Sequence, residues 1–390
     1  MKVSVLGSTG SIGVSTLEVI RYANSQAEKA FEIEALIAGR NLDLLVEQAK
    51  EFRPKLVVLQ DESRLTELRS ALAGSNIGVA AGDVAIIEAA ARPVDRVMAS
   101  ISGTCGLKPT MAAIDAGLDV LLANKETMVC AGHIMKDRAQ KAGGRIVPVD
   151  SEHNAVLQCL DQSQKLERIT LTASGGPFRD ASLEQMRRAT PAEALAHPNW
   201  SMGAKNSLDS ASMMNKGLEL IEAVYLFDIP QTKIDVLVHP QSIVHSMVSY
   251  ADGSVIAQMG APDMKTPIAY ALSSPDRIET NVSRLDLAQL SRLDFYAPDD
   301  AKFPALRLAR EASDSGLIGT CVYNAANEVA GLAFLQRRCG FLDISTLVEY
   351  SLHRALDRAN PEMPHSVSTV EDAIAVTDVV RGWIETRLSS

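Results

Sequence analysis

The sequence lacks the features that mark several large classes of protein. It has only five cysteines in 390 residues, Cys105, Cys130, Cys159, Cys321 and Cys339, and no C-x-x-C pair. An odd, scattered set argues against a disulfide framework or a zinc ribbon and predicts a reducing cytoplasm. Basic charge is not in excess: 38 basic side chains stand against 48 acidic ones, a net charge of −10. A nucleic-acid partner would want a basic face, so that class is disfavoured, while a local basic pocket for a small anion is still allowed. No stretch approaches the ~18–20 apolar residues of a membrane span. The first strand-like run is not preceded by a signal-peptide pattern. There is no internal repeat and no low-complexity tract.

What is present reads as an ordinary globular composition, 46% hydrophobic and 22% charged. The length is too great for one core and predicts two or three domains. Up to about residue 150, short apolar runs alternate with helical patterns: Val3–Leu6, Ile33–Ala38, Leu56–Leu59, Arg96–Ser100, Val120–Ala123 and Ile146–Val149 read as strands, Val14–Tyr22 and Leu42–Phe52 as helices. That alternation predicts a parallel, doubly wound sheet. From about 150 to 290, strands at Ile169–Ala173, Val236–Val238, Ile243–Tyr250 and Val255–Met259 surround a long amphipathic helix over 208–227. A hairpin turn at Ala251–Ser254 makes this an α+β region with a mixed or antiparallel sheet. From about 300, Leu306–Ser313, Tyr323–Arg337, Ile344–Leu356 and Val370–Leu388 carry a 3.6-residue period and predict a helical bundle.

Gly7-Ser8-Thr9-Gly10-Ser11-Ile12-Gly13 lies between the first strand and the first helix. Glycines there let a pyrophosphate approach the backbone, and the helix N-terminus favours its charge. A plain tight turn is the alternative; the position in an alternating region favours nucleotide binding. The second strand ends at Ala38-Gly39-Arg40-Asn41. An NAD site usually has an acid there, whereas the planar fork of Arg40 suits a 2′-phosphate, so NADPH is the expected cofactor.

Pro148-Val149-Asp150-Ser151-Glu152-His153-Asn154 is the densest polar motif. If the preceding strand continues, alternation puts Asp150 and Glu152 on one face. Two carboxylates that close repel unless a cation, a proton or a substrate separates them. The pair is then a hard-metal site, an acid/base pair, or a solvated end. Ser212, Asn215, Lys216, Glu219 and Glu222 share one helix face, and Met214, Leu218, Ile221 and Tyr225 make an apolar stripe on another. A solvated face of ion pairs is the usual meaning of such a row. Trp200, in the loop His197-Pro198-Asn199-Trp200-Ser201-Met202-Gly203, either closes over a ligand or anchors the loop. Ser174-Gly175-Gly176 after a strand can expose amides to an anion. Lys125, in Asn124-Lys125-Glu126, stands at a strand end where ligands bind, or pairs with Glu126. His153 and His245 lack metal-ligand spacing and read as structural.

In this order, GSTGSIG (7–13), LLANKE (121–126), PVDSEHN (148–154), SGGPF (174–178), HPNWSMG (197–203), SMMNKGLE (212–219) and HPQSIVHSM (239–247) resemble the motifs of 1-deoxy-D-xylulose 5-phosphate reductoisomerases, over essentially the whole chain. The resemblance implies an α/β fold: a Rossmann-like doubly wound domain over 1–150, a central α+β catalytic domain over 151–290 and a C-terminal helical bundle over 291–390. The central domain would carry the closing loop, at about 197–207, and a homodimer interface. It implies an NADPH-dependent rearrangement and reduction of 1-deoxy-D-xylulose 5-phosphate to 2-C-methyl-D-erythritol 4-phosphate in non-mevalonate isoprenoid synthesis, with Mg²⁺, Mn²⁺ or Co²⁺.

Carried over motif by motif, the metal ligands would be Asp150, Glu152 and Glu219, and these with Lys125 and His197 would be the catalytic set. Lys125, Ser151, Glu152 and His197 would surround the sugar. Ser174, Ser210, Asn215 and Lys216 would hold the phosphate, with Glu219 and Trp200 also against the substrate and Met202 in the closing loop. Thr9, Gly10, Ser11, Ile12, Gly39, Arg40, Asn41, Asn124, Glu126 and Gly203 would contact NADPH. Carboxylates suit Mg²⁺ and Mn²⁺ better than thiols or paired imidazoles would. Arg40 stands where the family pattern has lysine, and Ala204 where a basic residue is common. Two rivals are a semialdehyde-type dehydrogenase with a nucleophilic cysteine, for which Cys130 and Cys159 sit in unsuitably apolar helical patterns, and a non-catalytic NADPH sensor, which would need no acidic triad.

Overall fold

In a computed structural model, which describes residues 1–27, 30–161, 163–198, 200, 203–357, 360–364 and 366–389, the chain divides into two units with interleaved segments. The first comprises Met1–Thr127, Met135–Asn154 and Asp263–Ser283. The second comprises Met128–Ile134, Ala155–Pro262 and Arg284–Ser390.

The first unit is built on seven strands: β1 (Lys2–Leu6), β2 (Glu32–Ala38), β3 (Leu56–Leu59), β4 (Gly78–Ala81), β5 (Arg96–Ala99), β6 (Asp119–Leu122) and β7 (Ile146–Pro148). All pair in parallel, in the order β4-β3-β2-β1-β5-β6-β7. The central strands are buried along nearly their whole length, as a sheet covered on both faces requires. The order reverses between β1 and β5, so the crevice beyond their C-terminal ends is the place where such folds bind ligands. Strand β4 escaped the sequence reading because Gly78-Val79-Ala80-Ala81 carries little apolar bulk. Helix Lys265–Ser273 packs on helix Ser11–Gln26, and the Arg96 guanidinium donates to Ala271 O at 2.7 Å and Ser274 O at 2.8 Å. Residues 263–283, expected with the central domain, therefore belong to this unit.

The second unit has a mixed four-stranded sheet of β8 (Leu166–Ala173), β9 (Ile234–Val238), β10 (Val244–Tyr250) and β11 (Val255–Met259), in the order β11-β10-β8-β9. Only β8 and β9 are parallel; Gly253, at φ 88°, makes the expected hairpin between β10 and β11. The expected C-terminal helices are Ala305–Asp314, Gly316–Leu335, Asp343–Leu356 and Val370–Ser389. The first two pack on helix Met214–Phe227, which places the central sheet and the helical region in one unit instead of parting them near 290. Among the described residues, no helix is long and apolar enough to cross a membrane.

Two local expectations need correction. β7 stops at Pro148, and Ser151–Cys159 is a helix, so Asp150 and Glu152 are not alternating strand positions. The Asp150 carbonyl accepts from Asn154 N at 2.8 Å, the first bond of that helix, and the Asn154 side chain ties back to Pro148 O at 2.9 Å. The expected long helix over 208–227 is two helices, Ala204–Ala211 and Met214–Phe227, parted at Met213, whose φ of 62° lies in the left-handed region. Ser212 thus sits in the joint and not on the second helix.

Candidate active site

At the C-terminal end of β1 the chain turns through Gly7 at φ 85°. A Cβ on Gly7 would meet Ser100 O at 2.8 Å, and one on Gly13 would meet Gly7 O at 2.3 Å, so turn, helix and β5 close up only with glycine at both places. Helix Ser11–Gln26 starts behind Gly10 with no side-chain cap and no acidic residue in its first turn. The Gly10 amide donates to Gly7 O at 3.0 Å, while the first-turn amides of Ser11 and Ile12 have no partner within the helix and can meet an anion beside Thr9. Beyond β2, Asn41 caps helix Leu42–Phe52 by accepting from Leu44 N, and Arg40 is exposed. Arg64 donates to Arg40 O at 3.2 Å, bringing a second guanidinium to this end of the sheet. Sequence reasoning missed Arg64, since only the fold brings it beside Arg40. Asn124 is buried, and its amide donates to Ile101 O and, at 2.8 Å, to Gly103 O. It ties the loop after β5 to the start of helix Lys125–Ala142, with Glu126 buried next to it.

Beside that helix start, Lys125 is buried and its ammonium pairs with the Asp150 carboxylate. Asp150 and Glu152 each offer an oxygen within 4.8 Å of the other. Ser151 Oγ donates to Glu152 Oε2 at 2.5 Å. Two carboxylates and one ammonium leave a net negative charge, which suits a divalent cation with a hard-oxygen shell. His153 is fully buried, and it offers a ring nitrogen within 4.8 Å of an Asp150 oxygen, so a purely structural reading is not what the geometry favours.

In the second unit the groups expected to hold an anion gather around a bend. β8 ends at Ala173 and leads into Ser174, followed by Gly175 and Gly176 at φ 84° and 65°. A Cβ on Gly176 would meet Ser210 O at 2.7 Å, so the loop lies directly against the end of helix Ala204–Ala211. Ser174 Oγ lies 2.9 Å from His197 Nε2, and His197 Nδ1 accepts from Trp200 N at 2.9 Å. The second contact fixes the tautomer: Nδ1 is bare, so Nε2 carries the proton and donates to Ser174. Burial pushes the His197 pKa down. Trp200 leans on His245, ring centroids 6.2 Å apart, a contact that gives His245 a place in the loop arrangement. Gly203 caps the next helix; Asn199, Ser201 and Met202 lie outside the described residues.

On helix Met214–Phe227, Asn215 and Lys216 both reach the carboxylate of Glu219. Lys216 is 3% exposed and Glu219 and Glu222 are 0% exposed, which rules out the solvated-face meaning of this row. Charges buried this deeply are kept for chemistry or as paired structure. Cys130 and Cys159, the cysteines weighed for the dehydrogenase rival, are both buried.

A family model described as 1-deoxy-D-xylulose 5-phosphate reductoisomerase matches residues 3–132, one for the C-terminal domain of that enzyme matches 146–227, and a third, described as DXP reductoisomerase C-terminal domain, matches 259–383. The chain belongs to the 1-deoxy-D-xylulose 5-phosphate reductoisomerase family. A reductoisomerase of Rhodospirillum centenum is 52% identical over 378 residues, 96% of this chain and 91% of that one. One of Rhodopseudomonas palustris strain HaA2 is 53% identical over 388 residues, 99% and 94% of the two chains. The solved reductoisomerase of Zymomonas mobilis, in complex with NADPH, has a TM-score of 0.91 at 46% identity, covering 100% of this chain and 99% of its own. A reductoisomerase solved with NADPH, fosmidomycin and magnesium has a TM-score of 0.94 at 42% identity, covering 100% and 98%. As a reductoisomerase the chain is an NADPH-dependent oxidoreductase, and the Rossmann-like sheet of the first unit is the one expected from its sequence.

Proposed function

We propose that this chain converts 1-deoxy-D-xylulose 5-phosphate to 2-C-methyl-D-erythritol 4-phosphate with NADPH and a divalent cation, Mg²⁺, Mn²⁺ or Co²⁺, in non-mevalonate isoprenoid synthesis. The observation that carries the reading is the Asp150–Glu152 carboxylate pair beside buried Lys125, in a chain that matches this family from end to end. The cation would be held by Asp150, Glu152 and Glu219, all hard oxygen donors. When bound it would polarise a hydroxyketone and steady enolate-like charge, and the nicotinamide would supply hydride.

The protein's own groups do the rest. Lys125 balances Asp150 and stands ready to stabilise developing oxyanion charge. Ser151 and Glu152 orient the sugar hydroxyls. Ser174, whose Oγ accepts from His197 Nε2 and keeps its own proton to donate, joins Ser210, Asn215 and Lys216 on the phosphate, a grip remote from the reacting carbons that helps position them. Trp200 and its loop exclude water from the sugar. Thr9, Gly10, Ser11 and Ile12 would take the NADPH pyrophosphate, and Gly39, Arg40 and Asn41 the 2′-phosphate end, with Asn124, Glu126 and Gly203 along the nicotinamide half. We assign NADPH binding to the parallel sheet within 1–150, and a homodimer and cytoplasmic location to the enzyme.

The test is NADPH oxidation by the purified chain with 1-deoxy-D-xylulose 5-phosphate, before and after chelation and again after Mg²⁺ or Mn²⁺ is restored. Oxidation that stops on chelation and returns with metal is expected. Oxidation that persists after exhaustive chelation, or none in any condition, overturns the reading.

A further inference from the structure

Tyr323, Asn327 and Gly331 lie on helix Gly316–Leu335 and have no part in the scheme above. Their four-residue spacing puts all three on one face. Each meets the bent segment that carries Ser210, Asn215 and Lys216. A Cβ on Gly217 would lie 2.0 Å from Tyr323 Oη and 3.1 Å from Ala305 O, so helix Met214–Phe227 comes this close only because residue 217 is glycine. A Cβ on Gly331 would lie 3.3 Å from Leu208 Cδ2, a tight but milder approach to helix Ala204–Ala211. Between these two contacts, Asn327 Nδ2 donates to Asp209 Oδ1 at 2.8 Å, while Lys205 Nζ holds Asp209 Oδ2 at 2.9 Å.

Asp209 is 3% exposed and Asn327 is 1% exposed. Asn327 Oδ1 has no hydrogen-bond partner among the described residues. Two apolar side chains would join these helices as well, without a buried carboxylate or an unsatisfied amide oxygen. The polar pair offers direction instead: a planar carboxylate held from both sides cannot turn or slide along the facing helix. Asp209 is the residue before Ser210 and stands in the last turn before the left-handed joint at Met213.

We propose that Asn327, acting through Asp209, is a positioning residue that holds the 210–216 bend in the conformation that grips the substrate phosphate. The C-terminal helical region thereby sets the affinity of a site to which it contributes no ligand. The inference rests on the phosphate role of Ser210, Asn215 and Lys216 given under the proposed function.

The experiment compares the wild-type full-length chain with Asn327→Leu and with the reciprocal exchange of Asp209→Asn and Asn327→Asp, at saturating NADPH and Mg²⁺. Asn327→Leu is expected to raise KM for 1-deoxy-D-xylulose 5-phosphate about tenfold, with a smaller change in kcat and an unaltered NADPH dissociation constant. The reciprocal exchange, which keeps an amide–carboxylate bond, is expected to recover most of that loss. Should Asn327→Leu not fold, Asn327→Gln, which displaces the amide by one methylene, carries the same expectation. An unchanged KM, or a KM and an NADPH constant that rise together, overturns the proposal. Calorimetry with inorganic phosphate alone separates it from the functional reading. Equal phosphate binding by wild type and Asn327→Leu overturns the inference and leaves the function standing, whereas a wild-type chain that binds no phosphate overturns the phosphate site and the inference together.

Discussion

His197 shows how a single residue's chemistry follows from its neighbours. Its sequence context named a loop histidine; the contacts with Trp200 N and Ser174 Oγ assign its proton to Nε2. Burial holds its pKa below the ordinary 6.5. The sign of the consequence is definite. The unfolded or opened chain takes up a proton near 6.5 before the packed histidine does, so this group's contribution to the closed arrangement is complete above 6.5 and is lost as the pH falls below it. The pH profile of kcat/KM should therefore have an acid limb with an apparent pKa under 6.5, and His197→Gln should remove that limb. A limb that survives in the variant would assign it to another group. Buried Lys216 and Glu219 teach the complementary lesson: their spacing on a helix is that of a common surface pair, and only their burial separates them from one.

At the scale of elements, the motif PVDSEHN was legible as chemistry and illegible as shape. Asp150, Glu152 and their neighbours are named by type, but the apolar run before them hides that the strand ends at Pro148 and a helix begins at Ser151. The correction changes how the carboxylates come together: one stands before a helix and the other in its first turn, close enough to share a cation without strand alternation. The single amphipathic period over 208–227 likewise conceals the joint at Met213, because a bend of one residue hardly disturbs a 3.6-residue pattern. Gly217 on the second helix tests the packing argument. Gly217→Ala should destabilise the chain by about 2 kcal/mol through overlap with Tyr323, despite the better helix propensity of alanine. Thermal unfolding should show the loss, and Tyr323→Phe in the same chain should recover part of it by removing the hydroxyl. A stabilised Gly217→Ala variant would mean that the close approach is relaxed in solution.

At the scale of the whole molecule, the linear order of the sequence and the division of the chain differ. Residues 263–283 join the first unit because Arg96 and helix Ser11–Gln26 receive them, and the C-terminal helices join the second because they cover helix Met214–Phe227. The second unit also leaves β11 as a sheet edge, with Val255 and Ile256 57% and 47% exposed. An unpaired apolar edge strand is a template for association, and it is the surface that fits the proposed homodimer. Val255→Lys with Ile256→Glu should shift the sedimentation of the chain from dimer to monomer while unit-level folding, read by circular dichroism, is kept. A dimer that persists would place the interface elsewhere.

Local signals sufficed for much of this. Glycine punctuation, the alternation of strands with helices, and the chemical types in seven short motifs determined the parallel first sheet, a second sheet that is mixed or antiparallel, the helical C-terminus and the family, since each depends on residues close together in the chain. Tertiary structure decided which charges are buried, which tautomer His197 adopts, where the long helix bends, and that Asn327 holds Asp209 from 118 residues away. Those depend on contacts between distant segments, and no period or motif in the sequence carries them.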